Sequence, residues 1–441
     1  MKKQIIGLAT LGLMIAAPAL ADENVTSKFK LSIGGFVKLD YAYNSTNLGQ
    51  TGTLAPGSGA IPRTSSIAGM SDQSEFTARQ SRLWFKVAGP ELYGAKTSAL
   101  IEADFYGDFG APAESPQLRM RLAYGAIDWT NTQIMFGQAY EIFGPMIAST
   151  VDFRSGAAWG TPNTPRVPQV RLTQKYNFSD NNSLKLMVGA QNPGQNNWGQ
   201  AYPYSGTAAT IAYPYTSSGA VNGAGQIMWE SKALGVAPGY YGLSMKPLTI
   251  GVFGLYGNQS YNLSPISDNS YKSWGYGFYS FVPILKSSDG KGRAGSISFE
   301  GQIYEAANMT FDTATASGII RTGGTTANPI YNSAKGFGVG AQIIAYPTQE
   351  LGVTIGYGRR SVLNNGDYRN TASYQRYNEN YYVNLAYDFN AAVRLAGEYQ
   401  YLRTNYGNNP VLEAAPPAGT GKPASDFGQS NTFRVAAYYF F

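Results

Sequence analysis

A chain of 441 residues with 52 glycines, 33 tyrosines and only 14% charged residues reads as a β-rich protein with many turns and aromatic surface bands. It contains neither cysteine nor histidine, which excludes thiol nucleophiles, disulfides, cysteine-attached haem, histidine-ligated zinc and serine triads that need an imidazole. The formal charge of +6 includes Lys2 and Lys3 at the extreme amino terminus, and no run of Lys or Arg tracks a phosphate backbone, so no nucleic acid partner is expected.

Residues 1–21 read as a secretory signal. Lys2 and Lys3 precede an apolar run from Ile5 to Ala17, and Ala19-Leu20-Ala21 sets cleavage between Ala21 and Asp22. The run is too short for a membrane anchor, so the mature chain either stays soluble or inserts as strands. No linker, composition break or repeat divides residues 22–441, which predicts a single domain.

From Phe29 the odd positions run Phe29, Leu31, Ile33, Gly35, Val37, Leu39, Tyr41, Tyr43, with Lys30, Ser32, Lys38 and Asp40 on even ones. Such length matches a tilted transmembrane strand. Residues 45–74 read as a loop. Next, Leu83, Phe85 and Val87 oppose Arg82, Trp84 and Lys86, and Ala99, Ile101, Ala103 and Phe105 oppose Lys96, Glu102 and Asp104.

The segment Gln117–Trp129 then separates its charges from its hydrophobes. Leu118, Met120, Leu122, Tyr124 and Ala126 form one row, and Arg119, Arg121, Ala123 and Gly125 the other. In a soluble sandwich the charged face would be the wet outside. In a membrane barrel the apolar row meets lipid and the arginines point into a water-filled lumen.

Residues 138–168 break the alternation for about thirty positions, which marks a functional or disordered loop. Ile142, Phe143, Met146, Ile147, Val151, Phe153 and Trp159 argue against disorder and predict that it folds back into the lumen.

Beyond it, Val170, Leu172, Gln174, Tyr176 and Phe178 oppose Arg171, Thr173 and Lys175, and Leu184, Leu186, Val188 and Ala190 oppose Lys185. Strand patterns recur near 224–232, 246–257, 273–283, 295–306, 335–346 and 351–360. Thr249–Tyr256 is apolar on both faces, and the glycines of Gly336–Gly340 sit on a strand pattern rather than before a helix. Long loops are expected near 307–334, 361–377 and 405–430. The chain closes with Tyr381, Val383, Leu385, Tyr387 and Phe389, an Asn390-Ala391 turn, then Val393 to Tyr401 and Phe433 to Phe441, again alternating. Short turns alternate with long loops. The predicted fold is an all-β, transmembrane antiparallel barrel of about 16 strands with an inward-folded constriction loop over 138–168.

The signal, the strand GGFVKLDYAY, the strands around ARQSRLWFKV and LRMRLAYGAIDW, the GQAYEIFGP start of a long loop and the terminal Phe441 together resemble the general trimeric porin superfamily of Gram-negative outer membranes, and most closely its DcaP-like branch. The resemblance implies a sixteen-stranded homotrimer of the outer membrane, with contacts to the lipid bilayer and lipopolysaccharide and a third extracellular loop that constricts each pore. It also makes the alternation through Tyr439 to Phe441 an assembly signal read by outer-membrane assembly machinery. Two features depart from relatives. The Pro-Glu-Phe-Gly-Gly loop motif of enterobacterial porins is absent, and only a few residues separate Asp22 from the first strand, where some DcaP-like members carry a coiled coil.

Arg82, Lys86, Arg119, Arg121, Arg171, Lys175 and Lys185 are the candidate pore-lining bases. Glu102 and Asp104 face them, with Glu141, Asp152, Arg154 and Arg166 on the constriction loop. Opposed charges make a transverse field and an Arg/Lys wall favours anions, for which the resemblance points to small carboxylates. The plainer alternative is that these charges pair with one another to hold the wall. Tyr41, Tyr43, Tyr124, Trp129, Trp274, Tyr399 and Tyr439 are expected in interfacial girdles. Glu102 and Asp104 project from one strand with no defined cleft, so a glycosidase pair is not expected. The expected function is a passive channel with no cofactor or metal and no enzymatic activity. The alternative is a non-conducting barrel that sheathes or anchors a partner protein.

Overall fold

A computed structural model describes residues 29–48, 61–107, 116–151, 166–192, 201–202, 221–242, 244–263, 266–308, 319–324, 329–363, 375–407 and 425–441. The signal, with Ala21 and Asp22, and the loop residues Asp152 and Arg154 lie outside the described residues.

The strands are β1 (Lys30–Asn44), β2 (Gln73–Thr77), β3 (Arg82–Ala88), β4 (Lys96–Asp104), β5 (Arg119–Asp128), β6 (Thr132–Tyr140), β7 (Arg166–Asn177) and β8 (Asn182–Gln191). They continue as β9 (Ala201–Tyr202), β10 (Asn222–Pro238), β11 (Met245–Leu263), β12 (Ile266–Leu285), β13 (Ser296–Ala307), β14 (Ile319–Gly324) and β15 (Pro329–Ser333). The last are β16 (Lys335–Tyr346), β17 (Leu351–Val362), β18 (Gln375–Asp388), β19 (Val393–Tyr406) and β20 (Phe427–Phe440). β9, β14 and β15 form a small separate sheet. The rest pair antiparallel around a ring.

β2 and β3 occupy one place in that ring, because both pair with β1, Thr77 opposite Asp40 and Arg82 opposite Phe36. At the break between them the Ser81 hydroxyl takes up the Lys38 N–H at 3.0 Å, a ladder bond the interrupted strand cannot supply. β20 pairs with β1 from Phe36↔Phe440 to Asn44↔Thr432 and closes a barrel of 16 strand positions. Gly35 and Phe441 exchange both backbone bonds at 3.0 and 3.2 Å, so the last residue is part of the seam.

The barrel is inside out relative to a soluble protein. Along β18, Tyr381, Val383 and Leu385 are 50%, 37% and 52% exposed, while the alternating Asn380, Tyr382 and Asn384 are 1%, 2% and 4% exposed. Alternation sends the greasy row outward and the amide row into the lumen. Two aromatic belts flank the apolar band. Tyr41–Phe76, Tyr357–Tyr381 and Tyr399–Phe433 pair at 4.9, 4.8 and 5.0 Å on the long-loop side. Tyr387–Phe389 at 5.0 Å, with exposed Tyr439 and Phe441, lies on the short-turn side.

One expected phase is corrected. Leu118 and Met120 face outward at 65% and 52% exposure, but the β4–β5 register shifts between Glu102 and Ala103, where Arg121 is the extra residue. A bulge of one residue exchanges the faces beyond it. Leu122 therefore sits opposite the inward Glu102 and is 8% exposed, and Ala126 is 4% exposed. Tyr124, expected in a girdle, follows them onto the lumen face, while Gly125 pairs with outward Phe136. The bulge lets Arg119 and Arg121 both reach inward.

The loop is also shorter than expected. Gln138 to Tyr140 still pair with Pro168 to Arg166, so strands continue to Tyr140 and resume at Arg166. Arg166 is a β7 residue rather than a loop residue. Pro168, expected as the last loop residue, lies within β7, and its carbonyl accepts from Asn192 N at 2.8 Å.

Candidate functional site

The lumen is organised by residues Glu141–Val151, which leave β6 and lie against the inner wall from β8 round to β1. Each exposed main-chain group in this irregular segment needs a partner once it is buried. Side-chain amides supply most of them, because one amide offers a donor and an acceptor together, and Glu398 and Lys38 hold Val151.

Ile142 N donates to Gln191 Oε1 at 3.2 Å, Met146 N to Gln302 Oε1 at 3.1 Å, and Val151 N to Glu398 Oε2 at 2.6 Å. Gln342 clasps two points, accepting from Ser149 N at 2.8 Å and donating to Ile147 O at 3.1 Å. Gln226 donates to Ile142 O and Asn384 to Ser149 O. Lys38 Nζ closes the row on Val151 O at 2.7 Å.

Apolar packing sets the same course. Phe143 meets Phe253 and Tyr304 edge-on at 4.9 and 5.7 Å, within a buried cluster that includes Ile142, Met146, Tyr279 and Phe281. This explains the doubly apolar stretch of β11. Val252 and Tyr256 face outward at 50% and 57% exposure, while Phe253 and Leu255 receive the loop at 3% and 5%. Gly338 and Gly356 are needed where Tyr304 and Tyr382 lie flat on the neighbouring strand, since a Cβ at either would enter the ring.

The charged wall of the lumen is built on β3 to β7. Register puts Arg82, Asp104 and Arg119 in one row. Arg119 binds Asp104 with both ends of its fork, at 2.9 and 2.6 Å. Arg121 reaches Glu102 at 2.6 Å, Asp104 at 2.9 Å and the Tyr140 hydroxyl at 2.8 Å. Arg82 stands 3.8 Å from Glu102, and Arg166 lies over the Tyr140 ring at 5.9 Å. Three guanidiniums thus share two carboxylates and Arg166 adds a fourth positive charge, so among the described residues the wall carries a cationic excess although Arg119 and Arg121 are individually paired.

The remaining predicted residues separate into three groups. Arg171 faces inward opposite Met135 and Gly189 and makes no ion pair among the described residues. Lys175 and Lys185 share Glu230 at 3.1 and 3.2 Å near the short-turn mouth, away from the arginine wall. Lys86 is exposed, opposite Ser32, and joins no ion pair among the described residues.

Glu141, expected as an acidic counterpart of the basic wall, is held beside Gln191. It is buried at the root of the loop with Gln191 Nε2 at 3.2 Å, and burial pushes its carboxyl up to about 8. The shift favours the protonated carboxyl at the root of the loop, next in sequence to Tyr140, whose hydroxyl accepts from Arg121.

A second lumen cluster escaped the sequence-level reading. Lys38 binds Asp40 at 2.8 Å, Arg434 stands 3.5 Å from Asp40, and Arg394 and Arg293 meet on Asp388. Their inward phase was legible, since Lys38, Asp40, Arg394 and Arg434 oppose the apolar rows. No cluster of metal-ligating residues occurs among the described residues.

No family model matches the sequence, and no curated protein is detectably similar to it. Among solved structures, the outer membrane channel DcaP of Acinetobacter baumannii aligns with a TM-score of 0.64 at 16% identity, covering 94% of this chain and 98% of that one. An anion-selective porin from Comamonas acidovorans aligns at 0.54 and 11% identity, covering 94% and 100%. OmpF of Salmonella typhi, solved with daunomycin, aligns at 0.52 and 13% identity, covering 94% and 98%. The chain has the fold of these outer-membrane porins, a closed transmembrane barrel, in agreement with the resemblance read from its strands.

Proposed function

We propose that the protein is an outer-membrane porin, a water-filled diffusion channel for small hydrophilic solutes with a preference for anions. The observation that supports the reading is the lumen wall of Arg82, Arg119, Arg121 and Arg166, which among the described residues outnumber the Glu102 and Asp104 carboxylates beside them. A cationic wall raises the local concentration of anions and lowers their barrier. Small carboxylates fit it, because guanidinium forks match carboxylate geometry.

Residues Glu141–Val151 narrow the lumen by lying inside it, and their own amide clasps support a channel over a sheath, whose lumen would hold a partner instead. The outward belts with Tyr439 and Phe441 suit contact with bilayer and lipopolysaccharide and recognition by assembly machinery. A homotrimer follows from the same resemblance. Single-channel recording with a panel of mono- and dicarboxylates tests the reading. It predicts discrete conductance steps that small carboxylates reduce by competing for the wall, and a silent bilayer refutes it.

A further inference from the structure

Among the described residues, the turn between β10 and β11 is more buried than the other short turns compared with it. Residues 178–182, 286–292 and 389–392 are largely exposed, whereas Ala237 and Pro238 at the end of β10 and Gly239 just after it are buried. β10 loses register with β11 between Ser231 and Val236, and the chain then dips inward. Ser298 Oγ donates to Pro238 O at 2.7 Å, and Gly239 N donates to Ser244 O at 2.8 Å, so the fold of this turn is fixed from the lumen side.

Tyr241 is its tip. The residue is 6% exposed and holds φ 49 and ψ 21, a left-handed conformation uncommon for a residue with a side chain. Two contacts hold its side chain. Its hydroxyl donates to Thr150 O of the inward loop, and the Arg394 guanidinium lies over its ring at 5.7 Å. Gly242 follows at φ 67 with Tyr346 packed against it, which leaves no room for a side chain there.

We infer that this turn is a second constriction element, entering the lumen from the short-turn mouth, and that Tyr241 props the inward loop and limits conductance. The inference rests on the channel reading for its consequence, although the contact it requires does not. Loop and turn approach from opposite mouths and meet at Thr150. A solute that clears the arginine wall next passes Tyr241 and Arg394.

Two measurements test it. Tyr241→Gly suits the positive φ and removes the ring, so it should fold and raise single-channel conductance above wild type. Tyr241→Phe keeps the ring and loses only the hydroxyl, so it should hold the mean conductance while adding current fluctuations. Unchanged conductance in Tyr241→Gly, with wild type conducting, overturns the inference and leaves the channel reading standing. The chain has no cysteine, so Thr150→Cys with Tyr241→Cys gives a background-free pair for a short bis-thiol cross-linker. The pair should cross-link in folded barrels, detected as a mobility shift after unfolding, whether or not the wild type conducts. Absence of that cross-link overturns the contact itself.

Discussion

Arg119 closes on Asp104 through two parallel bonds, Nε to Oδ1 at 2.9 Å and Nη2 to Oδ2 at 2.6 Å, on the wall that faces the inward loop. The pair is formally neutral, so removing it whole should change the field in the lumen far less than removing either half. Asp104→Asn should strengthen anion preference, and Arg119→Ser with Asp104→Asn should return it near wild type. Arg166→Ser and Arg171→Ser, which remove charge with no carboxylate paired to it, should each shift the permeability ratio toward cations. Zero-current potentials of the four variants in a salt gradient check the order.

Gln342 satisfies a donor and an acceptor of the loop together, at Ser149 and Ile147. Gln342→Ala leaves both unmet, at a cost of about 1–3 kcal/mol for each group that water cannot reach. The variant should lower the thermal midpoint in detergent and make the conductance noisier. Wild-type noise with a wild-type midpoint would show that the loop is held elsewhere.

A pH dependence is expected from Glu141. Its carboxyl is raised from 4.5 to about 8 by burial, so the folded state holds the proton more tightly than the unfolded chain. Its contribution to stability is full below 4.5, is lost as pH rises towards 8, and changes no further above that. The charge gained near pH 8 lies next in sequence to Tyr140, which bonds Arg121, so anion preference should weaken on the alkaline side of that pH. Glu141→Gln should remove the weakening, which selectivity measured on either side of pH 8 would reveal.

The outward row of β18 predicts a sharp asymmetry between substitutions. Leu385, 52% exposed, faces hydrocarbon. Leu385→Arg should cost about 2–4 kcal/mol near the midplane of the bilayer, whereas Leu385→Val keeps the surface apolar and should cost less than about 1.5 kcal/mol. Urea unfolding of the two variants in liposomes compares them.

The sequence carried the barrel because alternation is local. Phe29 to Tyr43, Val170 to Phe178 and Tyr381 to Tyr401 each announce their two faces without reference to any other strand. What it hid depends on register between strands. The bulge at Arg121 leaves no mark in the composition of Gln117–Trp129, yet it moves Leu122, Tyr124 and Ala126 from lipid to lumen. The Arg119–Asp104 bond needs β4 and β5 aligned, and the neutral state of Glu141 needs the loop folded under Gln191. Thr249–Tyr256 looked irregular because its inner face meets the apolar loop rather than water.

The zero-current potential across a planar bilayer separating concentrated from dilute potassium chloride tests the central claim most directly. A water-filled lumen with a cationic wall predicts steady conductance and a potential of the sign set by chloride. No conductance would contradict the lumen, and a potential set by potassium would contradict the wall.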